Sequence, residues 1–124
     1  MKLKNKTKNK ILVNKIKVCK NFLNKSMGLI LHKKLKDKGL VFIFNKEKKV
    51  SLHMIFVFFP IDVLYLDKNK KVIEMKKDFK PFSFYIPKKR AKYILELPEG
   101  IISRTKTKIT RWFGKKCIFT TRSN

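Results

Sequence analysis

Three polar residues stand inside otherwise apolar runs of this chain: His53 in SLHMIFVFF, Asp62 in PIDVLYL and Glu96 in YILELP. Histidine and carboxylates are the side chains that most often move protons or ligate metals. An enzyme or metal site drawing one residue from each run is therefore the first chemistry to test. In a strand from Ser51 to Phe59, Leu52, Met54, Phe56 and Phe58 face one way, and His53, Ile55, Val57 and Phe59 the other. Were that register to run on through Pro60, Asp62 would lie on the Leu52 side with Leu64 and Leu66, opposite His53. Only a bend or bulge at Pro60, where the ladder loses a donor, brings the two together. Without it, Asp62 accepts backbone N–H bonds that fix the turn after Pro60, and His53 is a core-edge histidine with one satisfied nitrogen. Glu96 is then an exposed or turn-bonding carboxylate ahead of Pro98. On that basis no residue is assigned a catalytic role.

Other chemistries find less support. The glycines at 28, 39, 100 and 114 are isolated, so no phosphate-binding loop is present. Ser51, Ser83 and Ser103 have no nucleophile-elbow context. Cys19 and Cys117 are far apart and neither has a second cysteine nearby, which argues against a zinc site and a disulfide framework. No metal and no cofactor is expected. Phe82, Phe84 and Tyr85 beside Lys88, Lys89 and Arg90 would suit a base-stacking platform with a phosphate clamp. A hydrophobic strand ending in a solvated basic turn fits the same letters.

Charge sets the partner question. The chain carries 33 basic residues against 8 acidic ones, a formal +25. Residues 1–36 hold twelve of the basic residues and no acid, and residues 100–124 hold seven and no acid. The middle of the chain is thus an ordinary domain between basic ends. Such a field attracts nucleic acid or an anionic membrane surface without reading sequence. Only four of the basic residues are arginine, and alanine occurs once. Abundant Lys, Asn, Ile and Phe with little Ala or Arg is also what an A/T-rich coding sequence yields, whereas phosphate and base recognition usually favours arginine.

The elements that would position these residues are short strands. At 124 residues the chain is one domain's worth. Residues 1–10, lysines alternating with polar residues, read as a basic flexible tail, and 11–124 as a single β-rich domain. Ile11–Cys19 suits an edge strand, and Asn21 is placed to cap a short helix ending near Gly28. LVFIF at 40–44 reads as a strand covered on both faces. VSLHMIFVFF, IDVLYL, KVIEM, PFSFYIP and YILEL follow, separated by Pro60, DKNKK and other polar turns. KITRWFGKKCIFTT offers two more short strands. The expected fold class is mainly β (β-rich α+β): a compact sandwich or barrel-like domain of about eight short strands with one short N-terminal helix. The longest uncharged stretch, Val50–Ile61, is shorter than the roughly 20 apolar residues that span a bilayer. MKLKNKTKNK is followed by no apolar region of signal-peptide length, so a cytoplasmic location with reduced thiols is expected.

Read together and in order, these pieces resemble a known family. Gly28-Leu29, Gly39-Leu-Val-Phe-Ile-Phe44, His53-Met54, Pro60-Ile-Asp-Val-Leu-Tyr-Leu-Asp67, Val72, Pro81 and Tyr93-Ile-Leu-Glu-Leu-Pro-Glu-Gly100 are similar to the domain of unknown function 192 family, also called uncharacterised protein family 0127. The resemblance covers about residues 19–100. It implies a compact β-rich domain with a small helical part and brings no established reaction. It also places Cys19 where the family has a small residue, implying a buried thiol. The family's Gly-Asp turn before a last strand is replaced here by Arg111-Trp-Phe-Gly-Lys115. The function expected is a non-enzymatic ligand- or partner-binding module. Its rivals are a basic protein binding nucleic acid weakly and non-specifically through its ends, and the His53, Asp62 and Glu96 site.

Overall fold

The structure is a computed structural model and describes residues 3–5, 10–19, 38–53 and 59–106. Among these the chain runs through β1 (Leu3–Asn5), β2 (Lys10–Val13), β3 (Lys15–Cys19), β4 (Lys38–Lys48), β5 (Leu52–His53), β6 (Ile61–Leu66), β7 (Val72–Phe79), β8 (Phe84–Tyr85), β9 (Ala91–Pro98) and α1 (Ile101–Thr105). Five strands form one open sheet in the order β3-β4-β9-β6-β7. Its pairs are antiparallel except β3 beside β4, which is parallel. β1 pairs with β2, and β5 with β8, as separate two-stranded ribbons. The mainly β class holds. The sheet ends in free edges at β3 and β7, so the barrel alternative is not realised among the described residues.

The unbroken apolar runs become the middle of the sheet because both faces there are covered. All six residues of β6 are buried, and so are Leu40, Val41, Phe42 and Phe44 of β4. Alternation divides them. Leu40, Phe42 and Phe44 join Ile61, Val63, Tyr65, Phe79 and Ile94 on one face, called here the first. Val41, Leu64, Leu66, Leu95 and Leu97 join Leu12, Val13, Ile101 and Ile102 on the second. β2 and α1 therefore cover the second face, while Val50 and Tyr85 reach the first. Gly39 permits the close approach of β2: a Cβ there would lie 3.1 Å from Leu97 Cδ2 and from Val13 Cγ2.

Several expectations change. Leu3–Asn5, within the stretch read as a tail, form β1, and the strand expected over Ile11–Cys19 divides at Asn14 into β2 and β3. The helix expected from Asn21 to Gly28 and the strands expected after residue 107 lie outside the described residues, as do positions 54–58 and Cys117. A helix that the sequence reading did not include occurs at Ile101–Thr105. At five residues it is too short to show a hydrophobic period. Gly100, at φ 88, supplies the left-handed turn that starts it.

Candidate functional site

Strand β7 carries two irregularities that decide where carboxylates are needed. Opposite β6, Leu66 pairs with Val72 but Tyr65 with Glu74, so Ile73 is an extra residue. Val63 pairs with Lys76 but Ile61 with Phe79, so a second extra residue falls at Lys77–Asp78. Asp78 has φ 50. Such bulges leave backbone donors outside the ladder, and buried donors must find an acceptor elsewhere.

Asp62 is that acceptor for the second bulge. Its Oδ1 accepts the Asp78 N–H at 3.0 Å and its Oδ2 the Ile102 N–H at 2.9 Å. Ile102 lies in the first turn of α1, whose cap residue Gly100 offers no side-chain bond. Asp62 thus caps from forty residues away a helix whose local sequence cannot cap itself, a task helix starts usually give to a neighbouring Ser, Thr, Asn or Asp. It lies on the second-face side of β6 with Leu64 and Leu66, and is 2 % exposed. Asp62 accepts backbone N–H bonds, as the sequence led one to expect, but the donors lie in β7 and α1 rather than in the turn after Pro60.

Glu96 departs from expectation. It is not an exposed or turn-bonding group: it is 1 % exposed, in the central strand β9 between Leu40 of β4 and Val63 of β6. Those partners put it on the first face, opposite Asp62. Its Oε2 is buried without a hydrogen-bond partner, and so is the hydroxyl of Tyr65 on the same face. Desolvation pushes the Glu96 carboxyl up to about 8. Burial, then the neighbouring Tyr85, Glu74 and Glu96, push the Tyr65 phenol far above its ordinary range.

A further carboxylate, Glu74, emerges as a second clamp. It is buried, accepts the Lys88 N–H at 2.9 Å and the Lys89 N–H at 2.9 Å, and accepts the hydroxyl of Tyr85. Burial, with the bond to Glu74, pushes Tyr85 up to about 12. The Tyr85 ring stands 5.9 Å from that of Tyr65, and the Lys76 ammonium 5.7 Å from its centroid. The segment 81–89 is thereby tied down from beneath: Tyr85 is half-buried and Pro87 buried, and the Ser83 hydroxyl donates to the Lys80 carbonyl. Its alternate residues turn outward, leaving Phe82 64 %, Phe84 73 % and Ile86 66 % exposed.

The three residues singled out first are dispersed. Asp62 and Glu96 occupy opposite faces of the sheet. His53 lies in β5 at the register position of Phe84, one step from that of Tyr85. No group of three His, Cys, Asp or Glu residues suited to a metal occurs among the described residues. Lys88, Lys89 and Arg90 are exposed, and they follow directly on the outward apolar row. Glu74 left little trace in the sequence, since KVIEM reads as an ordinary short strand. Its only signal is a carboxylate between Ile73 and Met75.

The fold is shared with solved structures. A Sinorhizobium meliloti protein provisionally assigned as a transcription regulator superposes with a TM-score of 0.76 at 18% identity, covering 87% of this chain and 85% of that one. A protein of unknown function from Novosphingobium aromaticivorans gives 0.75 at 14% identity, covering 87% and 78%. At those identities the likeness is one of fold. Higher sequence identities are found among UPF0127 proteins. A UPF0127 protein of Thermococcus sibiricus is 39% identical over 100 residues, 79% of this chain. The match spans 64% of that relative's length. A UPF0127 protein of Pyrococcus horikoshii is 35% identical over 114 residues, 90% of this chain and 93% of its own. The profile of DUF192, described as uncharacterised ACR, matches residues 3–111, beyond the 19–100 that the motifs cover. With that span and those identities, the chain belongs to the DUF192 (UPF0127) family.

Proposed function

We propose that this single domain is a non-enzymatic, cytoplasmic binding module whose contact surface is the segment 81–90. The observation that carries this is the outward row Phe82, Phe84 and Ile86, three large apolar side chains each about two-thirds exposed on a segment held by a buried carboxylate. Contiguous apolar exposure of this kind marks contact surfaces on soluble domains. Phe82 holds φ 59, unusual for an aromatic residue. Strain of that kind collects where a side chain has to be aimed. The enzyme reading loses support from the same geometry, because its candidate residues are divided between faces and Asp62 is occupied by backbone donors.

The test compares the full chain with a Phe82→Ser, Phe84→Ser, Ile86→Ser variant against anionic vesicles, single-stranded DNA, duplex DNA and self-association. The variant should lose at least one interaction that the parent shows while keeping its unfolding midpoint. Indistinguishable behaviour in every assay refutes the module. The charge asymmetry supports a second reading: weak, sequence-indifferent nucleic-acid binding through the lysine-rich ends. Removal of residues 1–10 should then weaken oligonucleotide binding at low salt, and little binding should survive ~200 mM salt. Base-specific binding that persists there overturns it.

A further inference from the structure

Resting on the binding-module reading, we propose that the row Phe82, Phe84 and Ile86, with Lys88, Lys89 and Arg90, docks on an anionic phospholipid bilayer. The row is an inverted strand pattern. The half-buried Ser83 and Tyr85 and the buried Pro87 turn toward the domain, and Phe82, Phe84 and Ile86 toward solvent. Glu74 fixes this sense, because it takes the Tyr85 hydroxyl and the Lys88 and Lys89 N–H groups from below. Charge is complementary to an anionic surface: residues 76–90 contain six basic residues and one acid. That acid, Asp78, is already engaged by Lys80 at 2.6 Å.

The composition of the row selects the bilayer over a nucleic acid. Base stacking needs π faces, and Ile86 has none. Ser83, the hydrogen-bonding side chain within the row, is turned back to the Lys80 carbonyl, so none is left there to meet a base edge. Five of the six cations in the segment are lysine, which reaches phosphate as a point charge rather than as arginine's bidentate fork. An acyl–headgroup boundary demands neither stacking nor shape complementarity. It accepts apolar side chains to a shallow depth, while lysine stems lie along it with their ammonium groups at the headgroups.

The experiment is co-sedimentation of the full chain with vesicles of phosphatidylcholine alone, and of phosphatidylcholine with about one-third phosphatidylglycerol, at low salt and at ~0.5 M salt, where exposed charges are largely screened. Anionic vesicles should bind the parent strongly at low salt and still measurably at high salt. The three-serine variant, whose charge is unchanged, should bind them at least about tenfold more weakly and lose the high-salt remainder. Lys88→Glu with Lys89→Glu should weaken binding at low salt. If the triple change shifts the unfolding midpoint, Phe84→Ser alone is compared, with a loss of about threefold expected. Equal vesicle binding by parent and serine variants overturns the proposal, since the lysine-rich ends then account for it. A variant that loses single-stranded DNA binding, or goes from dimer to monomer, while its vesicle binding is unchanged also overturns the bilayer as partner. It leaves the contact surface itself standing.

Discussion

The carboxyl of Glu96 makes the stability of this domain depend on pH in a direction opposite to most proteins. In the unfolded chain the group titrates near 4.5, and in the folded sheet burial moves it to about 8. Below pH 4.5 both states hold the proton and the group contributes its full stabilising difference. Between the two values the folded state keeps the proton and the unfolded state has released it. The unfolded state then binds fewer protons, and stability falls as pH rises. One fully displaced group gives a slope of about 1.4 kcal/mol per pH unit, so the whole window is worth roughly 4–5 kcal/mol and the loss levels off above pH 8. That is a large share of the ~5–15 kcal/mol that holds a typical domain together.

Urea unfolding of the parent and of Glu96→Gln, at whole pH steps from 5 to 9, measures it. Other groups titrate in this range, so the informative quantity is the difference between the two proteins. Glutamine matches the shape of the neutral acid and cannot ionise. The difference should therefore move steadily in favour of the variant from pH 5 to 8 and then stop. At pH 9, Glu96→Leu should also exceed the parent, because it replaces an ionised buried group by an apolar one of similar size. A difference that is flat from pH 5 to 8, or that runs the other way, refutes the burial of an unpartnered acid at this position.

The other carboxylates yield predictions of different sign. Asp62→Ala strands the Asp78 and Ile102 N–H donors, so denaturant unfolding should show a loss of roughly 2–4 kcal/mol, with hydrogen exchange faster at the start of α1; unchanged stability rules out the capping role. Glu74→Ala removes the acceptor of Lys88, Lys89 and Tyr85, and the amides at 88 and 89 should lose exchange protection before the rest of the sheet. If those amides exchange no faster than in the parent, Glu74 does not hold the segment. Tyr65→Phe deletes a buried hydroxyl with no partner and should stabilise by about 1 kcal/mol; a loss instead means that the hydroxyl is bonded in solution.

The legibility of the fold and of the site differ for one physical reason. LVFIF and IDVLYL announce themselves as central strands because burial on both faces demands an unbroken apolar run, and that demand is local. The side of Asp62 was likewise readable, since alternation with Leu64 and Leu66 is local too. Glu96 was misplaced because its burial is imposed by Leu40 and Val63, strands distant in sequence that flank it on both sides. Glu74 was missed because its partners are backbone donors in a loop, and these have no letter in a sequence. Alternation also shows which residues share a face, but not which face is inward. For 81–87 the alternation grouped Phe82, Phe84 and Ile86 without giving their side. The clamp by Glu74 sets that side and turns Phe82, Phe84 and Ile86 outward.

The placement of the acids also bears on what the excess positive charge can do. Four of the eight acidic residues, Glu47, Asp62, Asp67 and Glu74, accept from backbone N–H groups in turns, bulges and the start of α1. In a chain so rich in lysine, ion pairing would be the cheap use of a carboxylate, yet these four serve the backbone, where no cation could replace them. Glu96 does neither and is held by the core as a neutral acid. The ion pair Lys80–Asp78 is exposed on both sides, where such contacts contribute little. Among the described residues the fold therefore draws on its carboxylates mainly as acceptors, and residues 76–90 keep an excess of positive charge, six basic residues against one acid. A surface of that sign beside an outward apolar row gives an approaching anionic interface long-range attraction and a short-range hold from the same ten residues, 81–90.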